Sequence, residues 1–295
     1  MKSGVFYAGV LILLGAGWGA TQPLSKIAVS TGYQHFGLIL WQLVFSILVL
    51  GAIALAQGKR LPLGRDYLWR YALIALVGTV LPNSVSYQAA VHLPAGILSI
   101  IISLGPMFAL PMALAIGMER FRPIRALGIL CGAVAIVLLA GPSTSLPAPG
   151  LALWVLIAAL SPLLYAVEGT WVARYGILDL DALQLLLGAS IVGLIFAIPL
   201  TLLTGQYIDI TQSWGAPEYA LFASSVIHAL VYTTYVWLVG RTGSVFASQV
   251  SYLVTGFGVL WAILFLGESY SAYVWSAMAV MMLGLFLVRP REALE

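Results

Sequence analysis

Apolar residues run through this chain in long unbroken blocks, separated by short polar or turn-forming stretches. Ten blocks stand out: Val5–Ala28, Phe36–Ala56, Tyr71–Ala90, Ala95–Gly117, Ile124–Ala140, Leu151–Ala173, Leu183–Leu203, Tyr219–Val239, Val245–Leu266 and Tyr273–Val288. Crossing roughly 30 Å of hydrocarbon takes roughly 20 helical residues. The blocks are too long and continuous for barrel strands, and lipid offers no partners to irregular backbone. The pattern therefore predicts an all-α polytopic membrane protein with ten transmembrane helices. Turn chemistry marks the breaks at Ser30-Thr31-Gly32, Leu93-Pro94-Ala95-Gly96 and Thr242-Gly243-Ser244.

Composition sharpens this picture. The hydrophobic fraction is 62% and the charged fraction 8%, against roughly 25% charged in a soluble domain. Twelve of the 13 Lys and Arg residues fall on alternate connections: Lys2; Lys59, Arg60, Arg65 and Arg70; Arg120, Arg122 and Arg125; Arg174; Arg241; Arg289 and Arg291. Basic residues mark cytoplasmic loops, which places the N and C termini in the cytoplasm. The start resembles a signal peptide, but its apolar run reaches Ala28, so an uncleaved first span is expected. The net charge of +3 is spread over loops rather than gathered on one face, so nucleic acid is not an expected partner. Membrane lipid is. Cys131 is the only cysteine, which excludes a disulfide framework.

The halves repeat. A shift of 149 residues brings Thr21 onto Thr170, Glu119 onto Glu268, and the stretch around Pro94-Ala95-Gly96 onto Gly243-Ser244-Val245. Five spans per half is an odd number, so the second half is expected upside down: two inverted five-helix repeats. The boundaries read as 1–141 for the first repeat, 142–150 for a periplasmic linker and 151–295 for the second.

Polar side chains inside spans should face a cavity or another helix. Thr79, Asn83 and Ser86 share one face of the third span and map to His228, Tyr232 and Tyr235 on the eighth. Ser99, Ser103 and Pro106 map to Ser248, Tyr252 and Thr255 on the ninth, beside Gln249, while Trp18 and Gln22 map to the sixth span near Tyr165. These stripes predict a central substrate site of Trp18, Gln22, Thr79, Asn83, Ser99, Ser103, Tyr165, His228, Tyr232, Ser248, Gln249 and Tyr252. The alternative is that the small hydroxyls merely pack helices or bond their own backbones. Three groups are candidate proton or charge sites. His228 either binds substrate or titrates with cavity pH, or else packs as a neutral, hydrogen-bonded histidine. Lys26 either snorkels or attracts carboxylates at an outer vestibule. Glu168 either carries a proton or caps a neighbouring helix.

Gly17-Trp18-Gly19-Ala20-Thr21…Lys26, Ala95-Gly96…Ser99…Pro106…Gly117-Met118-Glu119, and the repeated Gly267-Glu268 together resemble the EamA-type drug/metabolite transporter superfamily. Thr255 stands where that family often has proline. Within it the chain looks most like the bacterial aromatic amino-acid exporter (YddG-type) branch. The resemblance implies a ten-helix inverted-repeat exporter of small metabolites in the bacterial inner membrane, with a cavity lined mainly by spans 1, 3, 4, 6, 8 and 9.

The uncharged, aromatic stripes favour alternating-access export of small neutral metabolites, amino acids including aromatic ones. The competing reading is proton-coupled efflux of lipophilic drugs, for which Glu168 is the nearest acid. An enzyme is not expected: His35, His92 and His228 lie on different spans without metal-ligand spacing, so neither metal nor cofactor is called for. No nucleotide-binding loop is present, so transport runs down a substrate gradient or borrows an ion gradient. Oligomeric state is not legible, because Gly15-x(3)-Gly19 and Gly128-x(3)-Gly132 fit contacts within a bundle as well as between chains.

Overall fold

The computed structural model describes residues 2–142, 145, 146, 148 and 150–288. Arg289, Arg291 and, within the expected linker, Ser143, Thr144, Pro147 and Pro149 lie outside the described residues. The described chain is helical: α1 (Lys2–Ala28), α2 (His35–Ala56), α3 (Arg65–Ala75), a π-turn (Leu76–Val80), α4 (Leu81–His92), α5 (Ala95–Ile102), α6 (Gly105–Ala115) and α7 (Pro123–Ala140) form its first part. Its second part holds α8 (Ala152–Ala158), α9 (Leu160–Tyr175), α10 (Ala182–Leu203), α11 (Ala216–Thr242), α12 (Ser244–Ala247), α13 (Val250–Leu266) and α14 (Ala272–Val288).

Among the described residues, eight stretches are long and apolar enough to cross a membrane, several of them joining two of these helices, and α13 and α14 are shorter apolar helices. The ninth predicted block is divided because the chain turns at Ser248-Gln249. Apolar side chains cover the outside as well as the core: Leu48 is 64% exposed, Leu203 86% and Phe265 68%. Such a surface suits lipid, where burying those groups from water is no concern.

Packing is governed by close approach. α1 lies against α13, α11 and α5; α10 against α2 and α3; α14 against α7; and α9 against α4 and α6. Gly19 and Gly258 let α1 and α13 touch: a Cβ on Gly19 would sit 2.8 Å from the Gly258 backbone nitrogen. Gly15 faces Leu253, Gly128 faces Val288 and Gly284, and Gly132 faces Met107. Both small-residue pairs singled out from the sequence are therefore occupied inside the bundle.

Two polar layers close the ends. At the basic end, Lys59 pairs with Asp181 at 2.5 Å, Tyr67 donates to Asp179 at 2.6 Å, and Arg125 pairs with Glu119 at 2.7 Å. Asp181 also caps α10, accepting the Gln184 N–H at 2.9 Å while Gln184 Oε1 accepts the Asp181 N–H. Burial pushes the Asp181 carboxyl up, but Lys59 and the Gln184 N–H outweigh it and hold the group below its ordinary value of 3.8. Asp181→Ala is expected to cost about 1 kcal/mol, as lost N-caps do. Because the folded-state value lies below the unfolded one, that contribution is complete above the ordinary value and lost as pH falls through the folded one. A thermal melt in which the Ala variant matches the native chain at neutral pH would refute the cap.

At the opposite end, the chain breaks between α4 and α5. Lys26 reaches from α1 to the carbonyl oxygens of Ala90, Val91 and Leu93 at 2.7, 3.2 and 3.0 Å. These are orphan acceptors of the α4 C-terminus, where a cation is favoured. Across the break, Glu268 accepts the Ala95 and Gly96 N–H groups at 2.8 and 3.1 Å and the Tyr270 hydroxyl. An acid thus sits at the N-terminus of α5 and a base at the C-terminus of α4. Together they fix the two helices that frame the cavity.

Candidate functional site

α1, α4, α9 and α11 enclose a cavity of about 480 Å³ at the middle of the bundle. Of the residues expected to bind substrate, Trp18, Gln22, Thr79, Asn83, Ser103, Tyr165, His228 and Tyr232 line it. The helical spacing that put them on common faces is the reason they converge. Tyr235 and Ser86, their repeat-related neighbours, line it too.

Four expected residues lie off this wall. Ser99 is fully buried and donates to the Ala95 carbonyl at 2.9 Å, and its side chain packs on Gly258. Ser248 and Tyr252 border a second cavity of about 300 Å³, with Glu119, Arg125 and Thr170. Gln249 stands at the N-cap of α13 and lines neither cavity. The two cavities share Pro106 and Ser251 as common wall. Lys26, by its carbonyl contacts, also lies away from the cavity.

A hydrogen-bonded chain organises one side of the wall. Tyr165 donates to Asn83 Oδ1 at 3.0 Å, and the Asn83 amide donates to Gln42 Oε1 at 3.1 Å. Tyr87 donates to the same Gln42 oxygen at 3.0 Å. Ser86 and Ser161 join α4 to α9 at 2.9 Å. Aromatic rings cover another side: Trp18 stands 5.3 Å from Tyr235 and 6.3 Å from His228, and His228 stands 6.3 Å from Tyr232.

Sequence reasoning missed Gln42 and Tyr87. Gln42 had a signal, as the lone amide within the apolar second span, but no periodic partner to form a stripe. The Glu168 carboxyl lies on the cavity wall against Gly78. Gly78 and Thr79 belong to the π-turn of the third span. A single π-turn inside an α-helix is a common mark of a functional site.

The sequence pattern of the EamA-like transporter family matches residues 3–141 and again residues 152–289. The chain belongs to the EamA-like transporter family. As an EamA-family chain it is a multi-pass membrane protein. It is 25% identical over 285 residues to a WAT1-related, chloroplastic protein of Arabidopsis thaliana, covering 92% of this chain and 66% of that protein. The EamA-family chain therefore spans less than two thirds of that relative's length. It also shares its fold with a solved crystal structure at 18% identity and a TM-score of 0.64, covering 97% of this chain and 96% of the other. The central cavity of this EamA-family chain, with its amide chain and aromatic wall, is the candidate functional site.

Proposed function

We propose that the protein is an alternating-access exporter of small neutral metabolites, amino acids including aromatic ones, across a bacterial inner membrane. The observation that carries this reading is the central cavity itself. Its volume of about 480 Å³ falls within the roughly 300–1,000 Å³ of small-molecule sites. Trp18, Tyr87, Tyr165, Tyr232 and Tyr235 give it aromatic faces, and Gln22, Gln42 and Asn83 give it neutral polar groups. No Lys or Arg lines it among the described residues, which disfavours phosphorylated substrates.

The architecture we assign is ten spans in two inverted repeats, 1–141 and 151–295 joined by 142–150, with both termini cytoplasmic. Helix packing supports the pseudo-twofold arrangement. Under the shift of 149 residues, the contact of α1 with α13 corresponds to that of α9 with α6. Likewise α1 with α11 corresponds to α9 with α4, and α10 with α3 to α2 with α11. The α2–α10 and α7–α14 pairs map onto themselves. The family pattern also matches the chain twice. Two related bundles around one central site are the usual frame for alternating access.

The test is reconstitution in liposomes loaded with radiolabelled phenylalanine, threonine or methionine. Protein-dependent efflux without an imposed proton gradient is expected, and its absence from a folded, monodisperse preparation refutes the amino-acid reading. A second reading, proton-coupled efflux of lipophilic cations, is favoured by the position of Glu168 on the wall. The groups placed beside that carboxyl are Tyr165 on its own helix, Tyr232 from α11 and Gly78 of the π-turn. On this second reading, a lipophilic cation moves only with a proton gradient, and Glu168→Gln abolishes that movement.

A further inference from the structure

Glu168 is the one acidic residue on the cavity wall among the described residues, and its carboxyl sits directly on the backbone of Gly78. A Cβ at position 78 would lie 2.5 Å from Glu168 Cδ and 2.6 and 2.7 Å from its two oxygens. A methyl group at position 78 would therefore push the carboxyl off its seat. Among the described residues the carboxylate forms no ion pair and accepts no hydrogen bond. An ionised carboxylate taken from water without a partner is costly, so this one needs a proton or a cationic ligand.

The rest of the wall has the opposite character. Asn83 Oδ1 is taken by Tyr165, and Gln42 Oε1 by both Asn83 and Tyr87. The strongest acceptors of the amide chain are thus occupied, while the Gln42 amide nitrogen and the whole Gln22 side chain bond no described residue. One place on the wall offers negative charge without a partner; another offers neutral N–H donors.

We propose that Glu168, seated on Gly78, is the subsite for the primary ammonium group of the transported molecule, with the Gln42 amide donating to its carboxylate or carbonyl end. This rests on the exporter reading above and specifies how it recognises an amino compound. An amino acid, whose ammonium and carboxylate groups share one carbon, then sits between α9 and α2 with its side chain among the rings of Trp18, Tyr232 and Tyr235.

The experiment measures binding of three phenyl ligands to the purified full-length protein: phenylalanine, phenethylamine, which lacks the carboxylate, and 3-phenylpropionate, which lacks the ammonium group. The native chain is expected to bind phenylalanine and phenethylamine at least tenfold more tightly than 3-phenylpropionate. Glu168→Gln, which keeps shape and removes charge, should weaken both ammonium ligands at least tenfold and erase the discrimination. Gly78→Ala displaces the carboxyl from its seat and should weaken them in the same order, which keeps the test open should the Gln variant fold poorly. Unchanged phenylalanine affinity in both variants overturns the subsite while leaving amino-acid export standing. Binding of phenethylamine that depends on Glu168, without binding of phenylalanine, upholds the subsite and overturns amino-acid export. Binding of none of the three overturns both.

Discussion

Glu268→Ala is expected to destabilise the protein by about 3 kcal/mol, because three donors lose one charged acceptor at once. The Ala95 and Gly96 N–H groups bond the two oxygens of the carboxylate, and the Tyr270 hydroxyl shares one of them. Hydrogen bonds to a charged group contribute roughly 1.5–3 kcal/mol each, and a donor left buried without a partner costs about as much. Part of this is recovered by rearrangement and water at the helix end, which brings the net loss near the value of one to two such bonds. For a chain of this size that corresponds to a fall in thermal midpoint of roughly 5 °C. The effect should spread to α1, since Lys26 on the other side of the break feels the Glu268 charge. Glu268→Gln keeps an acceptor oxygen and should lose about half as much. Tyr270 lies outside the spans, and its hydroxyl is pushed well above the usual tyrosine range, first by burial and then by Glu268. It therefore remains a donor through the whole neutral and mildly alkaline range, and alkali should not mimic the substitution. Melting followed by tryptophan fluorescence decides the matter: an Ala variant within 2 °C of the native chain would show that the carboxylate does not hold the α4–α5 break.

How far the sequence could lead depended on what kind of partner each residue had. Thr79, Asn83 and Ser86 recur at helical spacing as one polar stripe, and all three line the central cavity. Ser99 offered no such contrast. Every residue of α5 from Ala95 to Ile101 is buried, so no face is singled out, and the chain turns at Ser103-Leu104 before α6 begins. The same turn at Ser248-Gln249 swings Ser248 and Tyr252 away from the central cavity. Lys26 was weighed as a snorkelling or carboxylate-attracting residue, yet it binds backbone carbonyls. Carbonyls belong to every residue and leave no trace in residue identity. The π-turn at Leu76–Val80 is equally silent, and only the glycine within it, beneath Glu168, hints at close approach. Gln42 was legible in principle as an amide in an apolar span, but a single polar residue cannot define a stripe.

Gly258→Val is expected to do at least as much damage by pure geometry, with no charge involved. A Cβ on Gly258 would fall 2.3 Å from Ser99 Oγ and 2.6 Å from Ser99 Cβ, with the Gly19 carbonyl oxygen at 3.4 Å. Ser99 cannot swing aside cheaply, since it is fully buried and bonded to its own helix. The partner glycine is no softer: its backbone already meets Gly258 nitrogen and Phe257 Cβ within 3 Å of where a Cβ would stand. α1, α5 and α13 meet at this point, and all three reach the central cavity, through Trp18 and Gln22, Ile102, and Ser251 and Val254 respectively. A branched side chain must push them apart. Overpacking of a close-fitted core costs typically 1–3 kcal/mol and more where backbone has to move, so the upper end or beyond is expected, with transport lost because the wall itself is displaced. Gly51→Ala is the matched control. It lies in the interior of α2 with nothing within 4 Å of its would-be Cβ, so the same kind of change should be neutral or stabilising by up to about 1 kcal/mol. Thermal midpoint and substrate efflux measured on both variants separate crowding from a general intolerance of glycine loss. A Gly258→Val protein that melts and transports like the native chain would mean that the three helices are not held at this distance.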